Sequence, residues 1–456
     1  MKYILKSGAK FEIYASDGTK ISEISESSVR LNNSDIDIKN NNIDWSEKYL
    51  TFEVTSGEIS FGFSQEIDYS IDNGKTWVHY IPKVIEDPII KEGSEIIWRG
   101  SLVCPTLGKY NQFISNVKAE SGSYRVKGNI MSLLFNDNFS DKKEMTPNTH
   151  DEVFSHLFEG ETTLVDLSYL ILPATTLVKN CYEHMFSNCN KLSNSPKLLP
   201  ASELTDYCYC GMFLNCENLK TTPKLLATEL GCRCYLNMFT GCVNLTTAPE
   251  LPSIKLAEGC YCHMFDGCEG LAEAPVLPAT IMKDSCYQGM FYNCHNLIIA
   301  PELPSTKLAT RCYDSMFLGC DNLMVAPELP ATTLAQECYS NMFSGCTGLF
   351  SAPELPAKEL IDFCYSEMFM GCSNLRYLKT SFITTPGSLY TNNWLFGVSR
   401  NGDFVKNPEA VWEVIGETGI PENWEILTNE SDSGTITRSE FDEVVKRLLF
   451  IFSKKR

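Results

Sequence analysis

The chain has 456 residues, 43% hydrophobic and 21% charged, with a net charge of −19. That length permits a large core shared among two or three structural units, and the acidic excess excludes polyanionic partners: no basic stripe is present to neutralise nucleic-acid phosphates or an anionic membrane surface. The amino terminus turns polar within six residues and no apolar run approaches the ~18 residues of a bilayer span, so neither a secretory leader nor membrane insertion is expected, and synthesis in a cytoplasm is.

Residues 1 to about 140 alternate apolar and polar side chains between Gly, Asn, Asp and Ser clusters, as in Tyr49-Leu50-Thr51-Phe52-Glu53-Val54 and Ile59-Ser60-Phe61-Gly62-Phe63. This alternation predicts an all-β, sandwich-like domain over 1–140. Its sharpest local signal, Ser70-Ile71-Asp72-Asn73-Gly74-Lys75-Thr76-Trp77, resembles the Asp-box of sialidase-type propellers. In such a box the Asp and Ser tie down a turn while the Trp packs beneath it, and Asn73-Gly74 is itself a hairpin turn. One box without a paired acidic apparatus predicts a structural hairpin in preference to a carbohydrate-active enzyme. The polar stretch 142–149 reads as a linker.

Eight near-copies of one block follow, their first cysteine at 181, 208, 234, 260, 286, 312, 338 and 364, a step of 27 once and 26 thereafter. Such a period predicts a solenoid over residues 150–400, in which each unit acquires a core only by stacking on its neighbours. Cys181, Met185 and Cys189 fall at i, i+4 and i+8, with Tyr182 and Phe186 alongside, which predicts a short amphipathic helix in each copy. The residue before the second cysteine is always Asn or Gly, types that adopt the left-handed conformation ending a helix. Leucine recurs three residues after that cysteine and faces the core. The Ala-Pro-Glu-Leu-Pro segment then interrupts any continuous ladder, confining strand character to a few residues.

Glu250, Glu302, Glu328 and Glu354 are expected to stack into an exposed acidic stripe, interrupted at Val276, that forms a candidate binding edge. A solvated charged edge is expected there, with a calcium-binding stripe as the lesser alternative, because nothing else in the copy supplies converging oxygen ligands. Sixteen of the twenty cysteines occupy the two repeat positions and read as reduced, buried core thiols. The other four are Cys104, Cys210, Cys232 and Cys262. Cysteine pairs of the C-x-C type and six scattered histidines imply no tetrahedral zinc set. Degraded copies at 153–164 and at Trp394-Leu395-Phe396-Gly397 read as caps, and eight full coils at ~5 Å each give a rod of roughly 40 Å.

Residues 401–427 form a compact C-terminal cap with Trp412 and Trp424 to bury, and a polar linker follows. Over 438–456 the apolar positions Phe441, Val444, Val445, Leu448 and Leu449 make one stripe, which predicts an amphipathic helix for self-association or docking on another protein.

The Met-Phe-x-Gly/Asn-Cys-x-x-Leu core with its proline-containing segment resembles the BspA-like leucine-rich repeat of bacterial surface proteins, over roughly residues 150 to 400. The period is longer than usual and methionine replaces alanine. The resemblance implies a mixed α and β chain whose repeats form a right-handed leucine-rich-repeat solenoid, a short strand plus a short helix per coil. It also implies a use in adhesion and recognition, with no catalytic residues and no cofactor. The long variant is associated with gut anaerobes and the tailed phages that infect them. Together with the missing leader it implies a virion appendage, a head or tail fibre or decoration protein, assembled in the host cytoplasm. Its partners would be other virion proteins and a host cell-surface glycan or protein, in a homo-oligomer, without nucleic acid. A bacterial cell-surface or secreted adhesin is the alternative, and a carbohydrate-active enzyme the third reading.

Overall fold

A computed structural model of the chain describes residues 43–104 and 122–428 in full, with the backbone of four strands outside them, and divides into two compact units, residues 1–44 with 434–456 and residues 45–433. In the first unit, β1 (Tyr3–Lys6), β2 (Lys10–Tyr14) and β3 (Lys20–Ser25) form an antiparallel meander, with Tyr3 opposite Ile13 and Lys10 opposite Ser25. The helix expected over 438–456, with Phe441, Val444, Val445, Leu448 and Leu449, lies outside the described residues.

The second unit begins with two sheets. Its strands are β4 (Leu50–Ser56), β5 (Glu58–Phe63), β6 (Ile67–Ser70), β7 (Val78–Tyr80), β8 (Ile89–Lys91), β9 (Glu95–Arg99), β10 (Phe113–Val117), β11 (Ser123–Asn129) and β12 (Leu164–Ile171). Six of them form one sheet in the order β12-β11-β4-β9-β6-β7, and β10-β5-β8 form another. Alternation along β4 buries Leu50, Phe52 and Val54. Phe61 of the smaller sheet meets Phe52 at 5.3 Å and Tyr124 at 5.0 Å between ring centroids, so a single aromatic layer joins the two sheets. On β11, Lys127 is buried yet paired, its Nζ 2.7 Å from Glu53 and 2.6 Å from Glu95. A buried ammonium without such partners would be strongly unfavourable.

Strand β12 runs parallel to β11, with Tyr124 beside Leu164 and Asn129 beside Ile171, and so carries the sheet into the first stacked copy. Phe158 of the degraded copy at 153–164 reaches back to Phe52 at 5.7 Å. One hydrophobic core is continuous from Leu50 to Trp424.

The repeats do not form the leucine-rich-repeat coil, and the expected fold class is corrected here. The one α-helix among the described residues, α1 (Ser132–Phe135), is four residues long and lies outside the repeats. Within them, strands shrink to β13 (Leu198–Leu199) paired with β14 (Lys224–Leu225), plus isolated bridges such as Ile299 with Val325. The sheets stay small and separate.

A ribbon of tight turns stands where the helix was expected. Alternate amides bond within the copy, Glu183 N to Asn180 O at 3.2 Å and Met185 N to Tyr182 O at 3.3 Å. The intervening amides bond to the next copy, Tyr182 N to Cys208 O at 3.0 Å, His184 N to Cys210 O at 2.8 Å and Phe186 N to Met212 O at 2.9 Å. Every fourth residue is left-handed, with φ of +56° at Asn180, +51° at His184 and +61° at Asn188. Such a ribbon puts two side chains in and two out per four residues. Its period of 4 differs from the helical 3.6 by only 40° per turn, too little drift over nine residues for the sequence to distinguish them.

Inward positions stack copy upon copy. The phenylalanine column from Phe158 to Phe369 repeats at 5.3 to 5.8 Å with ring planes within 12°. The tyrosines from Tyr182 to Tyr365 repeat at 5.6 to 6.1 Å. All sixteen repeat cysteines are fully buried. The eight thiols of the second column, from Cys189 to Cys372, each donate to a phenylalanine carbonyl of the preceding copy at 3.0 to 3.2 Å, as Cys216 does to Phe186. Burial pushes the Cys216 thiol up to about 12, so it remains a protonated donor.

At the far end Trp394 closes the aromatic stack against Tyr365 and Phe382, and Phe382 stacks on Trp412 at 5.2 Å. There β15 (Tyr377–Lys379), β16 (Gly402–Val405) and β17 (Trp424–Leu427) make a small parallel sheet.

Candidate functional site: the outward face of the turn ribbons

Because the ribbon buries two residues in four, the remaining two from each turn form a continuous outer face. Two residues past the first cysteine, this face carries Glu183, Cys210, Leu236, Cys262, Gln288, Asp314, Ser340 and Ser366 in successive copies. This polar column is half-buried to buried and is partly wired together. Gln288 Nε2 donates to Asp314 Oδ2 at 2.9 Å, and Ser315 Oγ to Asp314 Oδ1 at 3.0 Å. Burial nevertheless raises the Asp314 carboxyl above its usual range.

Beside it runs a charged ridge. Arg233 bonds Tyr207 at 2.6 Å and Glu258 at 3.2 Å, and Arg311 Nε bonds Glu337 Oε2 at 2.6 Å. Near the far end Glu337, Ser340, Phe363 and Ser366 line a shallow depression. Phe363 holds φ +56°, which puts a bulky side chain in a backbone conformation that such residues seldom adopt.

Three histidines occupy one position of the face, two of them with a carboxylate of their own copy. His156 Nδ1 lies 2.5 Å from Glu159, and His263 Nδ1 lies 3.0 Å from Asp266. His184 instead stacks its ring on His156 at 5.2 Å. Burial, reinforced by the neighbouring His156, lowers its pKa and keeps it neutral. Ligand atoms of Glu183, His184 and Cys210 all lie within 4.8 Å of one another. Burial raises the Glu183 carboxyl and pushes the Cys210 thiol up to about 12.

The acidic stripe is found on the surface. Glu250, Glu302, Glu328 and Glu354 are all exposed, Val276 is 80% exposed between them, and Glu354 pairs with Lys379 at 3.1 Å. None of the four belongs to a trio of potential metal ligands among the described residues.

The Asp-box is a closed hydrogen-bonded turn. Ser70 Oγ donates to Asp72 Oδ1 at 2.7 Å and accepts from Gly74 N at 3.0 Å, while Thr76 bonds Asp72 through its amide at 2.9 Å and its hydroxyl at 2.7 Å. Asn73 and Gly74 take φ +61° and +81°. Trp77 is held between the Arg99 guanidinium at 3.9 Å and Tyr49 at 5.1 Å. The Thr76 amide, then the Ser70 and Thr76 hydroxyls, hold the Asp72 carboxyl down to about 2. Its folded pKa is depressed, so its contribution to stability is present above the unfolded carboxylate range and is lost as pH falls through about 2. Asp72→Asn is therefore expected to lower the melting temperature at neutral pH, with the gap from the parent closing toward pH 2. Melting curves across that range check it. A variant that melts like the parent but loses turnover of a glycan would overturn the structural role.

No protein-family model and no curated protein matches this chain. No described helix is long and apolar enough to cross a membrane. The Glu183, His184 and Cys210 trio escapes a reading by local spacing because it spans two copies. Aligning the copies column by column would have placed Glu183 and Cys210 at the same position in successive turns.

Proposed function

We propose that the chain is a non-catalytic recognition protein whose turn-ribbon face binds glycan or protein on a cell surface. The observation that supports this reading is the contrast between the two sides of the ribbon. Inward positions repeat Cys, Tyr, Met, Phe and Cys in all eight copies, whereas the outward pair runs Glu183-His184, Cys210-Gly211, Leu236-Asn237, Cys262-His263, Gln288-Gly289, Asp314-Ser315, Ser340-Asn341 and Ser366-Glu367. Packing fixes the first set and leaves the second free to be matched to a ligand.

The setting proposed is a phage virion appendage held by other virion proteins, with a bacterial surface adhesin as the alternative. In either, shallow contacts gain strength by acting together, and association through Phe441, Val444, Val445, Leu448 and Leu449 would multiply them. The depression at Glu337, Ser340, Phe363 and Ser366 offers an aromatic face beside hydroxyls and a carboxylate, a combination suited to sugars.

The test is binding of the purified full chain to gut-anaerobe cells and to an array of their surface glycans. The double change Phe363→Ala with Glu337→Gln should weaken binding at least ~10-fold, about 1.4 kcal/mol, with an unchanged melting temperature. Loss of binding on Glu302→Gln with Glu328→Gln instead would move the site to the acidic stripe. Absence of binding to any cell or glycan would end the recognition reading.

A further inference from the structure

We propose that Glu183, His184 and Cys210 bind a borderline-soft divalent cation of the zinc class, the Cys210 thiol giving its proton to solvent as the metal–sulfur bond forms. The donor set of one carboxylate oxygen, one imidazole nitrogen and one thiolate is the mixture that zinc and its analogues accept. Zinc with bonds of ~2.0–2.3 Å holds one oxygen, one nitrogen and one sulfur ligand ~3.3–3.5 Å apart in tetrahedral geometry, so donors already within 4.8 Å need close by at most about 1.5 Å. Three protein ligands leave the fourth position to water.

The local structure singles out this trio from its repeats. Eight thiols of the second cysteine column are spent on phenylalanine carbonyls, but the buried Cys210 thiol makes no hydrogen bond among the described residues. His156 and His263 are tied to Glu159 and Asp266, whereas in the copy of His184 the corresponding position is Ser187, which bonds Glu159 of the preceding copy instead. A Cβ at Gly211 would overlap the His184 imidazole, so the glycine leaves room for the ring beside its neighbour Cys210.

The fourth and fifth copies supply an internal control. His263 lies over Gly289 in the same way, with Cys262 preceding it, but the third corner is the neutral Gln288, already bonded to Asp314. That constellation lacks the second anionic ligand. In the proposed site the dication balances one carboxylate and one thiolate, which satisfies the requirement that buried charge be compensated.

The experiment is titration of the reduced full chain with Co2+, whose thiolate complexes show a near-ultraviolet sulfur-to-cobalt charge-transfer band and whose tetrahedral complexes absorb strongly in the visible. One equivalent should produce both bands, and Zn2+ should erase them. Cys210→Ser should abolish the charge-transfer band, and His184→Gln and Glu183→Gln should each weaken binding at least ~10-fold. Cys262→Ser should change nothing. Far-ultraviolet spectra and melting temperatures establish that each variant is folded. Should Cys210→Ser fail to fold, the half-buried positions 183 and 184 decide. A charge-transfer band that never appears, that survives Cys210→Ser, that vanishes in Cys262→Ser, or that is indifferent to both Glu183→Gln and His184→Gln overturns the proposal.

Discussion

Phe317→Ala is expected to destabilise the second unit by ~3–5 kcal/mol, while Glu328→Gln, eleven residues away in the same copy, changes stability by less than ~0.5 kcal/mol. Phe317 is fully buried and stacks on Phe291 at 5.7 Å and on Phe343 at 5.6 Å, so its removal takes a partner from both neighbouring copies. The loss combines the transfer energy of the ring with a cavity that the ribbon cannot collapse into, because Phe317 N and O are engaged by Met342 O and by the Cys346 thiol. Glu328 is exposed and makes no side-chain hydrogen bond or ion pair among the described residues. Stacked repeats couple mainly to their nearest neighbours, so a weakened central copy should also split the unfolding transition into two. Urea denaturation of the full chain, followed by tyrosine and tryptophan emission, measures both effects. Equal losses from the two variants would show that the inside and outside of the copy are wrongly assigned.

The columns were legible because burial repeats as strictly as the residues do. The cysteines at 181 and 189, the Tyr182 and Phe186 rings and Leu192 all proved buried, and the residue before the second cysteine is left-handed in every copy, from Asn188 at +61° to Gly371 at +75°. The conformation between them was not legible from spacing alone, because in-in-out-out with period four and an amphipathic helix bury the same five residues over one short segment. The discriminating signal lay in Gly211 and Gly289, which would each weaken a helix interior by ~1 kcal/mol but suit a left-handed position. For the candidate sites, the Asp-box turn was readable because all its bonds lie within seven residues. The trio of Glu183, His184 and Cys210 was not, since its members meet only when two copies stack.

Gly289→Ala distinguishes the two conformations by sign. In the interior of an α-helix the substitution would stabilise by ~1 kcal/mol. In the ribbon Gly289 holds φ +57°, where an L side chain costs ~1–2 kcal/mol, and the new Cβ would also overlap the His263 ring lying across it. The expected result is a loss of ~2–4 kcal/mol, combining backbone strain with overpacking. Gly345→Ala separates the two contributions. It has φ +75°, but its Cβ would meet the Gly319 backbone at an ordinary 3.5–3.6 Å, so strain alone should remain. The double variant His263→Ala with Gly289→Ala should accordingly recover to about the loss seen for Gly345→Ala, apart from the half-buried imidazole's own contribution through its bond to Asp266. Denaturant midpoints of the four proteins test this order. A Gly289→Ala chain more stable than the parent would show that the segment is helical and that its amides do not alternate between copies.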